Sequence, residues 1–187
     1  FSKASAFLRD NTSRDKFLLW IDCFDPHEPW DSTPEFMTMY DRTPGYDGTI
    51  DPRAFQVRND PNLPAAARER VKAMYKAKVS LVDKWFGVFL DTLEETGLAE
   101  NTAILLTADH GTNIGDRGHH HFGKMAPPKE NESHVPFVVH VPGAGSGESH
   151  VLVQPQDVFA TLLGIAGDDT LTPDSIESYN VLAQVDE

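Results

Sequence analysis

The chain has 187 residues, enough for one domain with a real core but not comfortably for two. Its 16 Lys plus Arg against 29 Asp plus Glu leave a formal charge of −13, which repels phosphate backbones and anionic lipid surfaces, so neither nucleic acid nor membrane is an expected partner. The only cysteine, Cys23, leaves no intrachain disulfide to form, and no apolar run approaches the roughly 20 residues of a membrane span.

The start, FSKASAFLRDN, lacks both an initiator methionine and the basic-then-apolar layout of a secretory signal, so localisation stays open. Residues 1 to 11 read as the tail of a helix ending in polar Asp10-Asn11, which points to a piece of a longer polypeptide. Lys16 to Asp22 (KFLLWID) reads as a short strand rich in large apolar residues. From Cys23 to Leu63 the chain is loaded with Pro, Gly, Asp and Thr, and no period holds long enough to define an element; a loop of that length in a compact domain is functional or disordered.

Pro64 opens the next helix at its first turn, and Val71, Tyr75, Val79, Val82, Phe86, Phe89 and Leu93 follow at steps of three or four. Gly97 suits the left-handed turn past its end. Asn101 to Thr107 is then a buried strand, Asp109 to Val135 a charged loop, and Pro136 to Val141 another strand before the turn-rich PGAGSGES. Pro155 to Ala166 is an amphipathic helix closed by Gly167, and the last twenty residues, 168–187, are polar and loosely patterned. Strand, helix, strand, loop, strand is an α/β order, and no repeat, low-complexity tract or linker divides it.

The stretch TADHGTNIGDRGHHHFGK, residues 107–124, sets carboxylates, imidazoles and a lysine at the end of the second strand. In open α/β sheets that end opens onto the crevice where ligands bind, so the placement suggests a site. Asp109 and His110 are adjacent ligand types suited to a divalent cation. Adjacent strand residues point to opposite faces, so joint ligation requires the backbone to leave strand geometry, which Gly111 permits. The alternative is an Asp-His-Gly turn with a solvated carboxylate.

Lys124, after Gly123, can hold an anionic oxygen as a compact point charge, or be simply solvated. His27 lies between prolines in Asp25-Pro26-His27-Glu28-Pro29-Trp30, just past the first strand, where two strand ends can bring it and Asp109 to one crevice; otherwise it is a turn histidine with nothing to bind. Consecutive His119, His120 and His121 diverge, so one of them facing substrate is the reading in preference to a three-histidine metal cluster. Cys23 reads as a buried, inert thiol before it reads as a nucleophile.

Taken in order, these segments resemble the sulfatase branch of the alkaline phosphatase superfamily over most of the chain. FLLWIDCFDPHEPW resembles the strand leading to the family's substrate histidine, and Tyr75-Lys76-Ala77-Lys78-Val79 through Asp83 and Gly87 its long helix. NTAILLTADHG resembles its metal strand, and Gly115-Asp116-Arg117-Gly118 with Gly123-Lys124 the loop after it. The segments 134–143 (HVPFVVHVPG) and 154–163 (QPQDVFATLL) resemble the two that follow.

The resemblance implies an α/β, alkaline-phosphatase-like mixed sheet flanked by helices, truncated on its N-terminal side, with residues 1–187 as a partial catalytic domain. It implies a sulfuric ester hydrolase in which Asp109 and His110 bind a divalent metal, calcium first, then manganese or magnesium, and zinc last. His27 and Lys124 would contact the sulfate oxygens or the leaving oxygen, with Arg117 and His119 to His121 near the substrate, a small-molecule or glycan sulfate ester. Many relatives carry asparagine where this chain has His110, and imidazole there is similar to the choline-sulfatase-like and phosphonate-monoester-hydrolase-like branches.

In the family a hydrated formylglycine attacks sulfur, and elimination from the sulfated intermediate regenerates the aldehyde. That residue is made in a C-x-P-S-R or S-x-P-S-R type motif, which this sequence lacks: Cys23 is followed by Phe24-Asp25-Pro26-His27. The expectation is therefore the carboxyl-terminal half of the domain, inactive alone, of a family often exported, and able to dimerise through an uncovered sheet edge. The rival readings are a phosphodiesterase or phosphonate monoester hydrolase of the same superfamily, a non-catalytic anion- and metal-binding module, and an acidic α/β domain whose histidines bind metal adventitiously.

Overall fold

The computed structural model describes residues 1–42, 44, 61–62, 64–115, 121–124, 126–168 and 177–184. Their elements are α1 (Ser2–Asp10), α2 (Pro34–Tyr40), α3 (Ala65–Glu95), β1 (Ile104–Thr107), β2 (Asn113–Ile114), β3 (Phe122–Gly123), α4 (Glu130–Ser133), β4 (Phe137–His140) and α5 (Asp157–Ala166), with 3-10 turns at Ala99–Asn101 and Val181–Gln184. They fall into two compact units, Phe1–Leu98 with Gly111–Ser133, and Ala99–His110 with His134–Glu187. The content is α/β, as expected, with the described strands in two antiparallel pairs, β1 with β4 and β2 with β3.

The first unit is built on α3. Pro64 caps its start, its carbonyl accepting the Arg68 N–H at 3.0 Å. At the other end Gly97 has a φ of 71°, which lets its N–H reach the Glu94 carbonyl and the Leu98 N–H reach that of Leu93, both at 3.0 Å. Carbonyls that helix geometry leaves unpaired are thereby satisfied.

The buried face of α3 is not the single stripe expected. Val71, Met74, Ala77 and Lys78 are buried in its first half, Phe89, Thr92 and Leu93 in its second, while Val79 is exposed and Val82 half-buried. The reason is that two different partners grip the helix. Near its start α2 brings Phe36 and Met37 into a cluster with Trp30, Val71, Met74, Ala77 and Phe122. Near its end α1 brings Leu8, and the Phe1 ring lies 5.9 Å from that of Phe86.

Two expectations are corrected in this unit. The segment 23–63 does contain an element, α2, whose start signals are Thr33 as N-cap, Pro34 in the first turn and acidic Glu35; residues 43, 45–60 and 63 lie outside the described residues. Lys16 to Asp22 forms no strand ladder. Its side chains still alternate as a strand's do, Phe17, Leu19 and Ile21 half-buried, Leu18 72% and Trp20 70% exposed. The alternation of a strand is thus present, but among the described residues no neighbouring strand pairs with it.

In the second unit β1 and β4 run antiparallel from Ile104 opposite His140 to Thr107 opposite Phe137. The buried strand expected over 101–107 is shorter and half-exposed; among the described residues it pairs with β4 alone, and a two-stranded ribbon buries little of its faces. Gly167, φ 76°, closes α5 as expected. Residues 177–184 are tied to that helix: Asp157 accepts the Tyr179 N–H at 2.8 Å, Thr161 Oγ1 accepts that of Val181 at 3.1 Å, and Ser178 Oγ donates to the Gln156 carbonyl at 2.7 Å.

Candidate functional site

His27 sits in a turn whose first bond runs from its own N–H to the Phe24 carbonyl at 3.0 Å. The chain around it is fastened to α3. The buried Trp30 ring packs edge-on to Tyr75 at 5.4 Å, and Ser32 Oγ donates to the Ala77 carbonyl at 3.2 Å. Lys78 Nζ lies 3.0 Å from Asp25 Oδ1 and 3.0 Å from Asp31 Oδ1, with its side chain only 9% exposed. Burial works against the Lys78 charge, but hydrogen bonds and attraction from the Asp25 and Asp31 carboxylates outweigh it and hold the ammonium above the ordinary lysine range. Burial likewise pushes the Tyr75 phenol up.

The His27 ring is held on both edges. Nδ1 is 2.7 Å from the Glu28 carbonyl and 3.3 Å from Glu28 Oε2, while Nε2 is 2.5 Å from Lys124 Nζ. An ammonium has only donors, so Nε2 accepts from Lys124 and the ring proton sits on Nδ1, donating to the Glu28 carbonyl. The Phe24 ring stacks on the imidazole, centroids 4.3 Å apart. Glu28 Oε2 also lies 3.4 Å from Lys124 Nζ, on a side chain only 5% exposed. A buried carboxylate therefore serves an imidazole and an ammonium together.

Lys124 reaches this point through the β2–β3 ribbon. Ile114 pairs with Phe122 and Asn113 with Gly123, and the buried Phe122 ring anchors the ribbon in the core under α3. Asn113 Nδ2 donates to the Gly123 carbonyl at 3.1 Å, and Asn131 Nδ2 donates to Asn113 Oδ1 at 2.6 Å. Gly123 takes a φ of 83°, which few residues with a Cβ adopt, and so turns the chain just before Lys124. The sequence gap closed here is 97 residues.

In the second unit, Asp109 and His110 follow directly on β1. The Asp109 Oδ1 accepts the His110 backbone N–H at 2.9 Å, and Oδ2 lies 3.6 Å from His110 Nε2, so the two side chains turn to the same side once the strand has ended. They are 88% and 41% exposed. A carboxylate oxygen and an imidazole nitrogen at that separation can serve one divalent cation, whose ligands each stand about 2.0 to 2.6 Å away. The donor set therefore fits as part of a metal shell. Among the described residues no group of three or more His, Cys, Asp or Glu gathers to complete it.

Gly111 matters for a different reason than expected. It is not left-handed; instead a Cβ there would collide with the Asn131 backbone carbonyl, and its own N–H donates to the Glu132 carbonyl at 2.8 Å. Of the remaining candidates, half-buried His121 gives its carbonyl to the Gly115 N–H at 2.9 Å, while Arg117, His119 and His120 lie outside the described residues. Cys23, expected buried, is exposed; among the described residues no strand ladder forms around the segment carrying it. Sequence reasoning missed Glu28 and Lys78. The signal for Glu28 was its place beside His27, and for Lys78 a charge seven residues after Val71 on a core-facing stripe.

Comparison with known proteins gives this geometry a family. The chain matches the sulfatase family over residues 1–168. It is 32% identical to an arylsulfatase of Clostridium perfringens over 127 residues, 65% of this chain and 25% of that protein. It is 26% identical to an endo-4-O-sulfatase of Bacteroides thetaiotaomicron over 169 residues, 88% of this chain and 31% of that protein. An ulvan-active sulfatase of Formosa agariphila is likewise 26% identical over 183 residues, 95% of this chain and 34% of the relative. The chain thus spans between a quarter and about a third of the length of these relatives. With the family's residues matched from Phe1 to Asp168, this chain belongs to the sulfatase family.

Proposed function

We propose that the chain supplies the oxyanion contact and part of the metal shell of a sulfuric ester hydrolase, with Lys124 as the direct contact to an ester oxygen. The observation that carries this is the Lys124–His27 pair. Of the three ammonium N–H groups, one points to His27 Nε2 and one toward Glu28 Oε2, which leaves the third for an anionic oxygen. A sulfate ester being cleaved gathers negative charge on its oxygens, and a fixed ammonium stabilises that charge without reorganising.

His27 has an orienting role on this reading. With the Nε2 lone pair accepting from Lys124 and the Nδ1 proton given to the Glu28 carbonyl, it has no donor to turn toward an anion in this arrangement, and it orients the ammonium. Glu28 keeps both groups in place. Asp109 and His110 would hold a divalent cation, calcium, manganese or magnesium ahead of zinc, and that cation would neutralise developing charge on the sulfuryl oxygens. Names such as arylsulfatase and endo-4-O-sulfatase among the relatives favour sulfate over phosphate as the group recognised. The reading includes no nucleophile from these 187 residues, since neither C-x-P-S-R nor S-x-P-S-R occurs in them.

Equilibrium binding of an aryl sulfate, with the matched aryl phosphate as competitor, tests the proposal. Expected are preferential binding of the sulfate, its loss in Lys124→Met, and no turnover by the chain alone. Preference for the phosphate, or sulfate binding indifferent to Lys124, would overturn the sulfatase reading, and turnover would overturn the reading that the nucleophile lies elsewhere.

A further inference from the structure

Among the described residues no hydrogen bond or ion pair joins Lys78 to His27 or Lys124, yet it holds the two ends of the turn that carries His27. Of the bonds fastening segment 25–32 to α3, the Trp30–Tyr75 ring contact and the Ser32–Ala77 hydrogen bond grip only the side after His27. The Lys78 ammonium reaches both sides, with Asp25 two residues before the imidazole and Asp31 four residues after it. We infer that Lys78 is a positioning residue, an ammonium clamp that closes the Asp25–Asp31 turn and thereby fixes the His27 ring against Lys124.

Three observations support this. First, the two carboxylates are 39% and 58% exposed while the lysine side chain is 9% exposed, so the charge is anchored in the helix and the turn comes to it. Second, a lysine buried on a core-facing helix position is costly unless paired, and here the pairing is with one turn only. Third, the 2.5 Å contact of Nε2 with Lys124 and the 2.7 Å contact of Nδ1 with the Glu28 carbonyl leave the ring little play, so a shift of the turn by a fraction of an ångström disturbs both. Removing the clamp frees the Asp25 side of the turn, and the ring then samples both neutral tautomers.

The inference rests on the reading of His27 as part of the sulfate-ester site, and the test is chosen so that the two can fail separately. Nitrogen-15 spectra of the imidazoles, with His27 assigned by its disappearance in His27→Gln, report the tautomer in the 187-residue chain without any ligand. Wild type is expected to show one protonated and one unprotonated ring nitrogen. Lys78→Met should bring the two signals together toward an averaged position, Lys78→Arg should restore the separation, and Asp25→Asn/Asp31→Asn, changed on the turn alone, should reproduce the loss. A folded Lys78→Met with an unchanged His27 spectrum would overturn the clamp. So would a folded Asp25→Asn/Asp31→Asn protein that keeps the two His27 nitrogen signals apart. Aryl sulfate binding that survives in Lys78→Met with a collapsed tautomer signature would instead count against His27 in the hydrolase reading and leave the clamp standing.

Discussion

Replacing Glu28 with glutamine keeps the shape of the buried side chain and removes its charge. Its Oε2 stands 3.4 Å from Lys124 Nζ. Two unit charges at that separation attract by about 5 kcal/mol at an effective dielectric constant of roughly 20. That gross figure is reduced because the Lys124 side chain is 36% exposed, so water screens the pair, and because burying the carboxylate had its own desolvation cost. The expected net loss is about 1.5–3 kcal/mol, the range of a hydrogen bond to a charged group.

The three tryptophans, Trp20, Trp30 and Trp85, all lie in the unit that holds this pair, so urea unfolding followed by their fluorescence reports on it. With a urea slope of about 1–3 kcal/mol per molar, the midpoint of Glu28→Gln should fall by roughly 1 M. The same change made in a Lys124→Met background should cost distinctly less, since its partner charge is already gone. A Glu28→Gln protein within about 0.5 kcal/mol of wild type, or one that loses equally in both backgrounds, would refute the view that this carboxylate organises the ammonium.

Gly111→Ala places a methyl against the Asn131 carbonyl and should lower stability by about 1–3 kcal/mol in urea unfolding. Gly97→Ala, with open space around it but a φ of 71°, should cost only about 1 kcal/mol and shift the midpoint less. Lys78 is held above its ordinary value of 10.5, so its stabilisation is fully present below that pH and is lost as pH rises through the folded value. Wild type and Lys78→Met should therefore converge in stability on the alkaline side of 10.5, as pH-dependent unfolding would read out. Calorimetric titration with manganese should give binding that Asp109→Ala abolishes; binding that survives the change would be adventitious.

What the sequence made legible was local. The long helix, its Gly97 ending and the Gly167 ending of α5 follow from periodicity and from residues whose backbone demands are nearly unconditional. The candidate pairs His27 with Lys124 and Asp109 with His110 were legible through residue chemistry and the family resemblance. Less legible was anything decided by partners distant in sequence. The apolar run 16–22 has the alternation of a strand, but a ladder needs a neighbour that no pattern within the run can supply. Val79 fits the helical period and yet faces outward, because α1 and α2 grip α3 on different faces. Lys78 passed unnoticed because its reason, the Asp25 and Asp31 carboxylates, lies 47 or more residues away in sequence.

The most direct test is a crystal structure of the chain grown with manganese and sulfate. The account predicts a cation, located by its anomalous signal, bonded to the Asp109 carboxylate and the His110 imidazole, and a sulfate oxygen within hydrogen-bond distance of Lys124 Nζ. A cation bound elsewhere with Asp109 and His110 left in solvent, or a Lys124 ammonium that touches only His27 and Glu28 at saturating sulfate, would contradict it.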